Sequence, residues 1–140
     1  MFLRFDRAKE SRKRFAEAFR LFSRAADQGY ASGQLNLAVM YDRGEGVQQD
    51  LAEAARLYRL AADQGEGVAQ FNLGALHANG RGVPQDYVEA HKRFNIGCAV
   101  GYKDACEERE KISARMTPAD ISEAQKRARV CMESDYKDCD

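Results

Sequence analysis

Residues Gln34–Gly65 read QLNLAVMYDRGEGVQQDLAEAARLYRLAADQG, and residues Gln70–Gly101 read QFNLGALHANGRGVPQDYVEAHKRFNIGCAVG. Laid over one another, the two stretches agree at Gln34/Gln70, Asn36/Asn72, Leu37/Leu73, Gly44/Gly80, Gly46/Gly82, Val47/Val83, Gln49/Gln85, Asp50/Asp86, Glu53/Glu89, Ala54/Ala90 and Gly65/Gly101, always 36 residues apart. A fixed period of this length without insertions marks stacked supersecondary units, here helix pairs. The expected fold is therefore all-α, a solenoid of helix-turn-helix repeats.

Working outward from that pair, Ala31 to Arg43 is expected to form the first helix of a unit. Gly44-Glu45-Gly46-Val47 then breaks it, because glycine tolerates positive φ and Val47 can tuck beneath the turn. Asp50 starts the second helix as a carboxylate N-cap, with Glu53 placed to complete a capping box, and Asp86 and Glu89 repeat the arrangement. These acids read as helix starts, not as catalytic pairs. Upstream, Phe15, Phe19, Phe22 and Ala26 line one face of a helix from about Arg7 to Gln28. Its ending, Ala25-Ala26-Asp27-Gln28-Gly29, recurs as Ala61-Ala62-Asp63-Gln64-Gly65. This helix is thus the second half of a repeat, and its Arg12, Lys13, Arg14 and Arg20 read as a solvated face. In each unit Ala54, Leu57, Tyr58 and Ala61 repeat Ala18, Leu21, Phe22 and Ala25, small residues for close approach and an aromatic to fill the space between units.

After Gly101 the pattern changes. Tyr102 to Arg115 is helical but highly charged, with Arg109 where the earlier units carry Leu37 and Leu73. Thr117 and Pro118 open a last helix as N-cap and first helical residue. Ile121, Ala124, Gln125 and Ala128 are expected along its inner face, closed by Val130 and Cys131, and a polar helix of this kind is what the end of a solenoid requires to stay soluble. The chain divides into a half repeat or cap (1–29), two repeats (30–65 and 66–101) and a C-terminal cap (102–140).

Composition removes several function classes. The 22 basic and 22 acidic residues cancel, which leaves no overall field to draw the protein to nucleic acid or an anionic membrane. No apolar run approaches the roughly 18 residues of a membrane span. The stretch Met1 to Asp6 lacks the apolar core of a signal peptide, so the expectation is either a cytosolic protein or a sequence that begins after a leader. Four cysteines fall into two equally spaced pairs, Cys98 with Cys106 and Cys131 with Cys139. The spacing is too wide for one side of a zinc site and suits a bridge across a helix turn, the alternative being buried free thiols. Paired cysteines favour a periplasmic or secreted location.

Candidates for chemistry are few. His77 stands where the preceding unit has Tyr41, and His91 where it has Ala55; they read as packing or surface residues, since two further metal ligands cannot be assigned. None of Ser11, Ser23, Ser32, Ser113, Ser122 or Ser134 lies in a Ser-x-x-Lys or Gly-x-Ser-x-Gly setting. The Gly-x-Gly loops have no preceding strand, so no nucleotide fingerprint is assigned and no cofactor is expected. No catalytic residue and no metal ligand is assigned.

The Gly-x-Gly-Val-x-x-Asp loops at Gly44–Asp50 and Gly80–Asp86, the Leu-Gly at Leu73-Gly74 and the Ala-Ala-Asp-x-Gly unit endings together resemble the SEL-1-like repeat family, a relative of tetratricopeptide repeats. The likeness covers about Phe15 to Cys131, and Met116-Thr117-Pro118 followed by Ala124-Gln125 resembles the C-terminal helix of bacterial members. It implies a right-handed α-solenoid acting as a non-enzymatic adaptor between proteins. One cysteine-rich branch joins one unit's second helix to the next unit's first by paired cysteines, and Cys98 and Cys106 hold those positions; Ala62 and Gln70 replace them one unit earlier. Some members of that branch are described as binding or hydrolysing β-lactams, so the alternative implied is an envelope protein acting on a β-lactam or peptidoglycan-like compound.

Stacked helix pairs curve, with the first helix of each unit inside. Leu37, Ala38 and Tyr41 are expected to face the partner helix, which turns Ser32, Leu35, Val39 and Asp42 into the groove. Their equivalents are Val68, Phe71, Ala75 and Ala78, with Arg43 and Asn79 at the rim. This face is the expected site for a peptide or helix of another protein, and the competing expectation is that its apolar residues pack on neighbouring helices of the same chain.

Overall fold

The computed structural model describes residues 6–140 and, among them, contains seven helices and no strand. The leader argument from Met1 to Phe5 lies outside the described residues. The helices are α1 (Arg7–Asp27), α2 (Ala31–Arg43), α3 (Leu51–Ala62), α4 (Gly67–Asn79), α5 (Tyr87–Ala99), α6 (Lys103–Ser113) and α7 (Pro118–Glu133). Each of the first six packs on its neighbours in sequence, α1 on α2, α2 on α3 and onward to α6. The tightest associations join α2 to α3 and α4 to α5, the two members of each expected unit.

Local chemistry sets the helix starts. Asp50 Oδ1 accepts the Glu53 amide at 3.0 Å, Asp86 Oδ1 accepts that of Glu89 at 3.0 Å, and Thr117 Oγ1 accepts that of Asp120 at 3.1 Å. Each side chain satisfies an amide that no helical carbonyl can reach. The capping boxes, however, are only half made. The Asp50 amide already donates to the Tyr41 carbonyl and the Asp86 amide to that of His77, so Glu53 and Glu89 have nothing to bind at the N-cap and turn to cations instead. Gly44 and Gly80 end α2 and α4 in the left-handed conformation. Gly82 also passes so close to the next-lower unit that a Cβ would lie 2.4 Å from the Leu51 backbone, which allows only glycine there.

Small side chains bring the helices together. Ala54, Ala61, Ala62, Ala69 and Ala90 are fully buried, and Leu37, Leu57, Tyr58, Leu73 and Leu76 fill the space around them. Burial of such residues stabilises the stack by roughly 1.5–3 kcal/mol for each large apolar side chain. Where α1 supplies only half a unit, the same register is uncovered: Leu21 is 48% exposed, while its counterpart Leu57 is 2% exposed.

The C-terminal helix takes a different position from a further repeat. It lies against α5 and has little contact with α6. Ala124, Ala128 and Cys131 form its buried face and Ile121 is half-buried. Gln125, expected on the inner face, and Val130, expected to close the helix, are exposed, because docking on α5 buries only the stripe of Ala124, Ala128 and Cys131. Both cysteine pairs are disulfides: Cys98–Cys106 joins the end of α5 to α6 with Cα atoms 4.7 Å apart, and Cys131–Cys139 ties α7 to the segment after it at 4.3 Å. The second bridge therefore closes a non-helical loop, not the turn between two helices that the spacing suggested.

Candidate functional site

The row α2, α4 and α6, the side that the repeat pattern assigns to the inner face, forms one side of the stack, and α4 approaches α6 directly. Ser32, Arg43 and Asn79 are exposed on this row, and Leu35, Val39, Val68, Phe71 and Ala75 are half-buried. The half-buried members also pack within the chain: Leu35 and Val39 touch the first core cluster, and Phe71 lies 5.8 Å from the Phe94 ring and 5.2 Å from that of Tyr102. Asp42 departs from the expected orientation. Its Oδ2 accepts the Tyr58 hydroxyl at 2.8 Å, so the carboxylate is drawn to α3, and burial together with this bond raises the Tyr58 pKa far above that of a free phenol.

Between α4 and α6 the inner face deepens into an open groove of about 280 Å³. Phe94 and Ile112 form its apolar wall, Asn79 and Tyr87 supply polar atoms, and Lys111 and Arg115 stand at the α6 edge. Arg115 Nη1 reaches the Tyr87 hydroxyl at 3.4 Å, and Lys111 pairs with Glu108 at 3.1 Å.

A second feature lies on the opposite helices. Lys92 and Arg93 of α5 are 1% and 0% exposed. Glu89 holds both, with Oε2 2.8 Å from Lys92 Nζ and Oε1 accepting Arg93 Nε at 3.0 Å. Arg93 Nη1 donates to Gln70 at 3.1 Å and to Asp63 at 3.4 Å, and Lys92 also donates to the Cys139 carbonyl. Burial pushes the Glu89 pKa up, but the adjacent Lys92 and Arg93 outweigh it and hold the carboxyl below its usual range. Burial, followed by the Arg93 charge, lowers that of Lys92. Composition gave no sign of this cluster, yet the repeat carried one: Arg93 stands in the register of Leu57, a buried apolar position of the preceding unit.

The histidines are both buried and both held below their ordinary pKa, chiefly by that burial. Neither ring nitrogen of His77 has a hydrogen-bond partner. His91 Nε2 lies 3.1 Å from Ser113 Oγ, a pairing that sequence did not reveal. Its direction is unsuited to activating a nucleophile: the single Ser113 hydroxyl proton goes to the Arg109 carbonyl at 2.8 Å, so the imidazole donates, whereas a general base would have to accept.

The Sel1 repeat model matches residues 13–30, 31–66 and 67–92. Among solved structures, the chain is similar to a protective antigen of uropathogenic Escherichia coli displaying an SLR fold, with a TM-score of 0.80 and 30% identity over 82% of this chain and 25% of that one. It is also similar to a Sel1 repeat protein from Oxalobacter formigenes, with a TM-score of 0.63 and 31% identity over 65% of this chain and 37% of that one. The chain thus spans well under half the length of either structure. A search of curated proteins gave no significant match.

Proposed function

The chain belongs to the Sel1 repeat family, whose members generally serve as protein–protein interaction scaffolds, and from that premise we propose that its inner face, α2, α4 and α6, binds a segment of another protein. The observation that carries this reading is the groove between α4 and α6, apolar at Phe94 and Ile112 and polar at Asn79, Tyr87 and Arg115. A short helix or extended segment with one apolar side chain and an adjacent carboxylate or amide would satisfy both parts. Leu35, Val39, Val68, Phe71 and Ala75 continue the surface toward α2 as a partly covered apolar floor, and Ser32, Arg43 and Asn79 supply exposed polar contacts. Arg43 already has Glu45 at 3.8 Å, a solvent-exposed pair that a partner carboxylate could displace at little expense.

The test places a photo-crosslinking side chain at Asn79 on the inner face and at Arg129 on α7. Adducts with one protein from Asn79 and none from Arg129 are the expected result. Equal adducts from both positions, or adducts from Arg129 alone, would refute the inner face as the binding surface.

A further inference from the structure

The segment after α7, Ser134–Asp140, lies over the buried cations of α5. The Cys139 carbonyl accepts Lys92 Nζ, and Asp140 Oδ1 is 3.4 Å from Arg59 Nη1 and 3.9 Å from Arg93 Nη2. Tyr136 packs in the cluster of Ile96, Cys131 and Cys139 and approaches Gly65 at the end of α3. We propose that this segment is a disulfide-held plug in a carboxylate-binding site formed by Arg59, Lys92 and Arg93, and that opening Cys131–Cys139 with a dithiol releases it.

Two sets of observations support the proposal. The first concerns the site. Arg59, Lys92 and Arg93 face Glu89, Asp63 and Asp140, so withdrawal of Asp140 leaves three cations against two carboxylates. Arg93 Nη2 is buried and has no hydrogen-bond partner, even with the Asp140 carboxylate nearby. A buried guanidinium with an unused donor is matched by a carboxylate that can approach more closely. The second concerns the closure. Asp135 and Tyr136 both have left-handed backbones, with φ of 56° and 64°, a conformation that is strained at a non-glycine residue. Against this strain stand the Tyr136 packing, the Lys92 bond and ion pairs to an Asp140 side chain that is largely in solvent, and exposed pairs contribute little. The covalent bridge is what keeps the plug in place.

A cleft lined by Lys126, Arg127, Val130, Asp138 and Asp140 borders Cys139, the less deeply buried of the two bridge cysteines. In the exchange, a thiolate of the dithiol attacks one sulfur of the bridge and releases the other cysteine as its thiolate; the second thiol of the reagent then attacks the reagent's own sulfur in the mixed disulfide and releases the remaining cysteine. Two electrons and two protons pass from the dithiol to Cys131 and Cys139, and the dithiol leaves as its own disulfide.

Amine acylation followed residue by residue tests the plug, because Lys92 is shielded while Lys103 and Lys111 are exposed references. In the full chain with Cys139→Ser, which retains Cys98–Cys106, Lys92 is expected to label at least about tenfold faster than in the oxidised protein, as for a local opening. Amide protection at Leu37 and Leu73 should stay unchanged, and Cys106→Ser should leave Lys92 shielded. Continued shielding of Lys92 in Cys139→Ser would overturn the plug, and so would labelling that appears only when Leu37 and Leu73 lose protection. For the ligand class, succinate and, separately, the uncharged succinamide are added in excess to the Cys139→Ser protein. Succinate should slow the labelling of Lys92, whereas succinamide should not. Equal protection by the two compounds, protection by neither, or protection by inorganic phosphate alone would overturn carboxylate recognition.

Discussion

Leu57 in α3 and Arg93 in α5 hold the same place in successive repeats, and both are buried almost completely. The first is surrounded by Leu37, Ala54 and Tyr58 in a continuous apolar cluster. The second meets Glu89, Asp63 and Gln70, and its helix also carries α7 on its outer side. A third copy, Leu21, is half in solvent because α1 has no preceding helix among the described residues. The backbone register is common to all three, so what surrounds each position is decided by neighbouring elements and not by the repeat itself. An apolar position tolerates an arginine only where acids and amides from two adjacent helices satisfy it, since an unpaired buried charge costs several kcal/mol.

The sharpest way to break this comparison is to remove the acid that both buried cations share. Glu89→Gln takes from Lys92 its carboxylate and leaves Arg93 only Asp63 and the more distant Asp140, and the expected loss is about 3–5 kcal/mol by urea unfolding. The equivalent change one repeat earlier, Glu53→Gln, removes only an exposed pair with Arg56 and should cost about 0–1 kcal/mol. Equal losses at the two positions would show that α5 is no more dependent on its ion cluster than α3 is on a surface pair. Next in size is Leu57→Ala, expected to cost about 2–5 kcal/mol through a lost side chain and the cavity left behind. Leu21→Ala, the same substitution in the same register, should stay within about 0.5 kcal/mol.

The period, the helix starts and the unit endings were legible in the sequence because each depends on residues a few positions apart. Asp50, Asp86 and Thr117 cap the helices they were expected to cap. Even there, the missing half of each capping box required knowledge of the Tyr41 and His77 carbonyls, which arrive from the preceding helix. The docking of α7 on α5 was less accessible: Ala124 and Ala128 reveal an apolar stripe, but periodicity does not name the helix that the stripe meets, and it puts Gln125 on the inner face. The inner face was legible in part. Its residues follow from the helix period, whereas the attraction of Asp42 to Tyr58 and the packing of Phe71 on Phe94 and Tyr102 arise from contacts between helices. Arg93 in a leucine register is visible in the sequence, as is Arg109 in the register of Leu37 and Leu73; helix spacing supplies Glu89 four residues before Arg93, but no local rule supplies Asp63, Gln70 and Asp140, which arrive from other elements.

The last effect concerns another buried polar residue that departs from its repeat, His77 in the place of Tyr41. Burial lowers its pKa in the native state, so below about pH 6.5 the unfolded chain takes up a proton that the native protein refuses. Stability is therefore full above that pH and declines as the pH falls toward the native pKa, by up to about 1.4 kcal/mol for each pKa unit of depression. His91, lowered in the same sense, adds to the decline, and Glu89 contributes only further down, below its unfolded value of about 4.5, as its carboxylate is protonated. Neither His77 nitrogen makes a well-formed hydrogen bond, and its approach to the Pro84 backbone is weak, so His77→Leu gives up little polar contact. Its stability should be within about 1 kcal/mol of the parent at pH 8 and higher than the parent at pH 5, measured by urea unfolding at the two values. An identical pH dependence in parent and variant would mean that His77 takes its proton as readily inside the stack as outside it, and the acid response would then belong to the charged helix α5 alone.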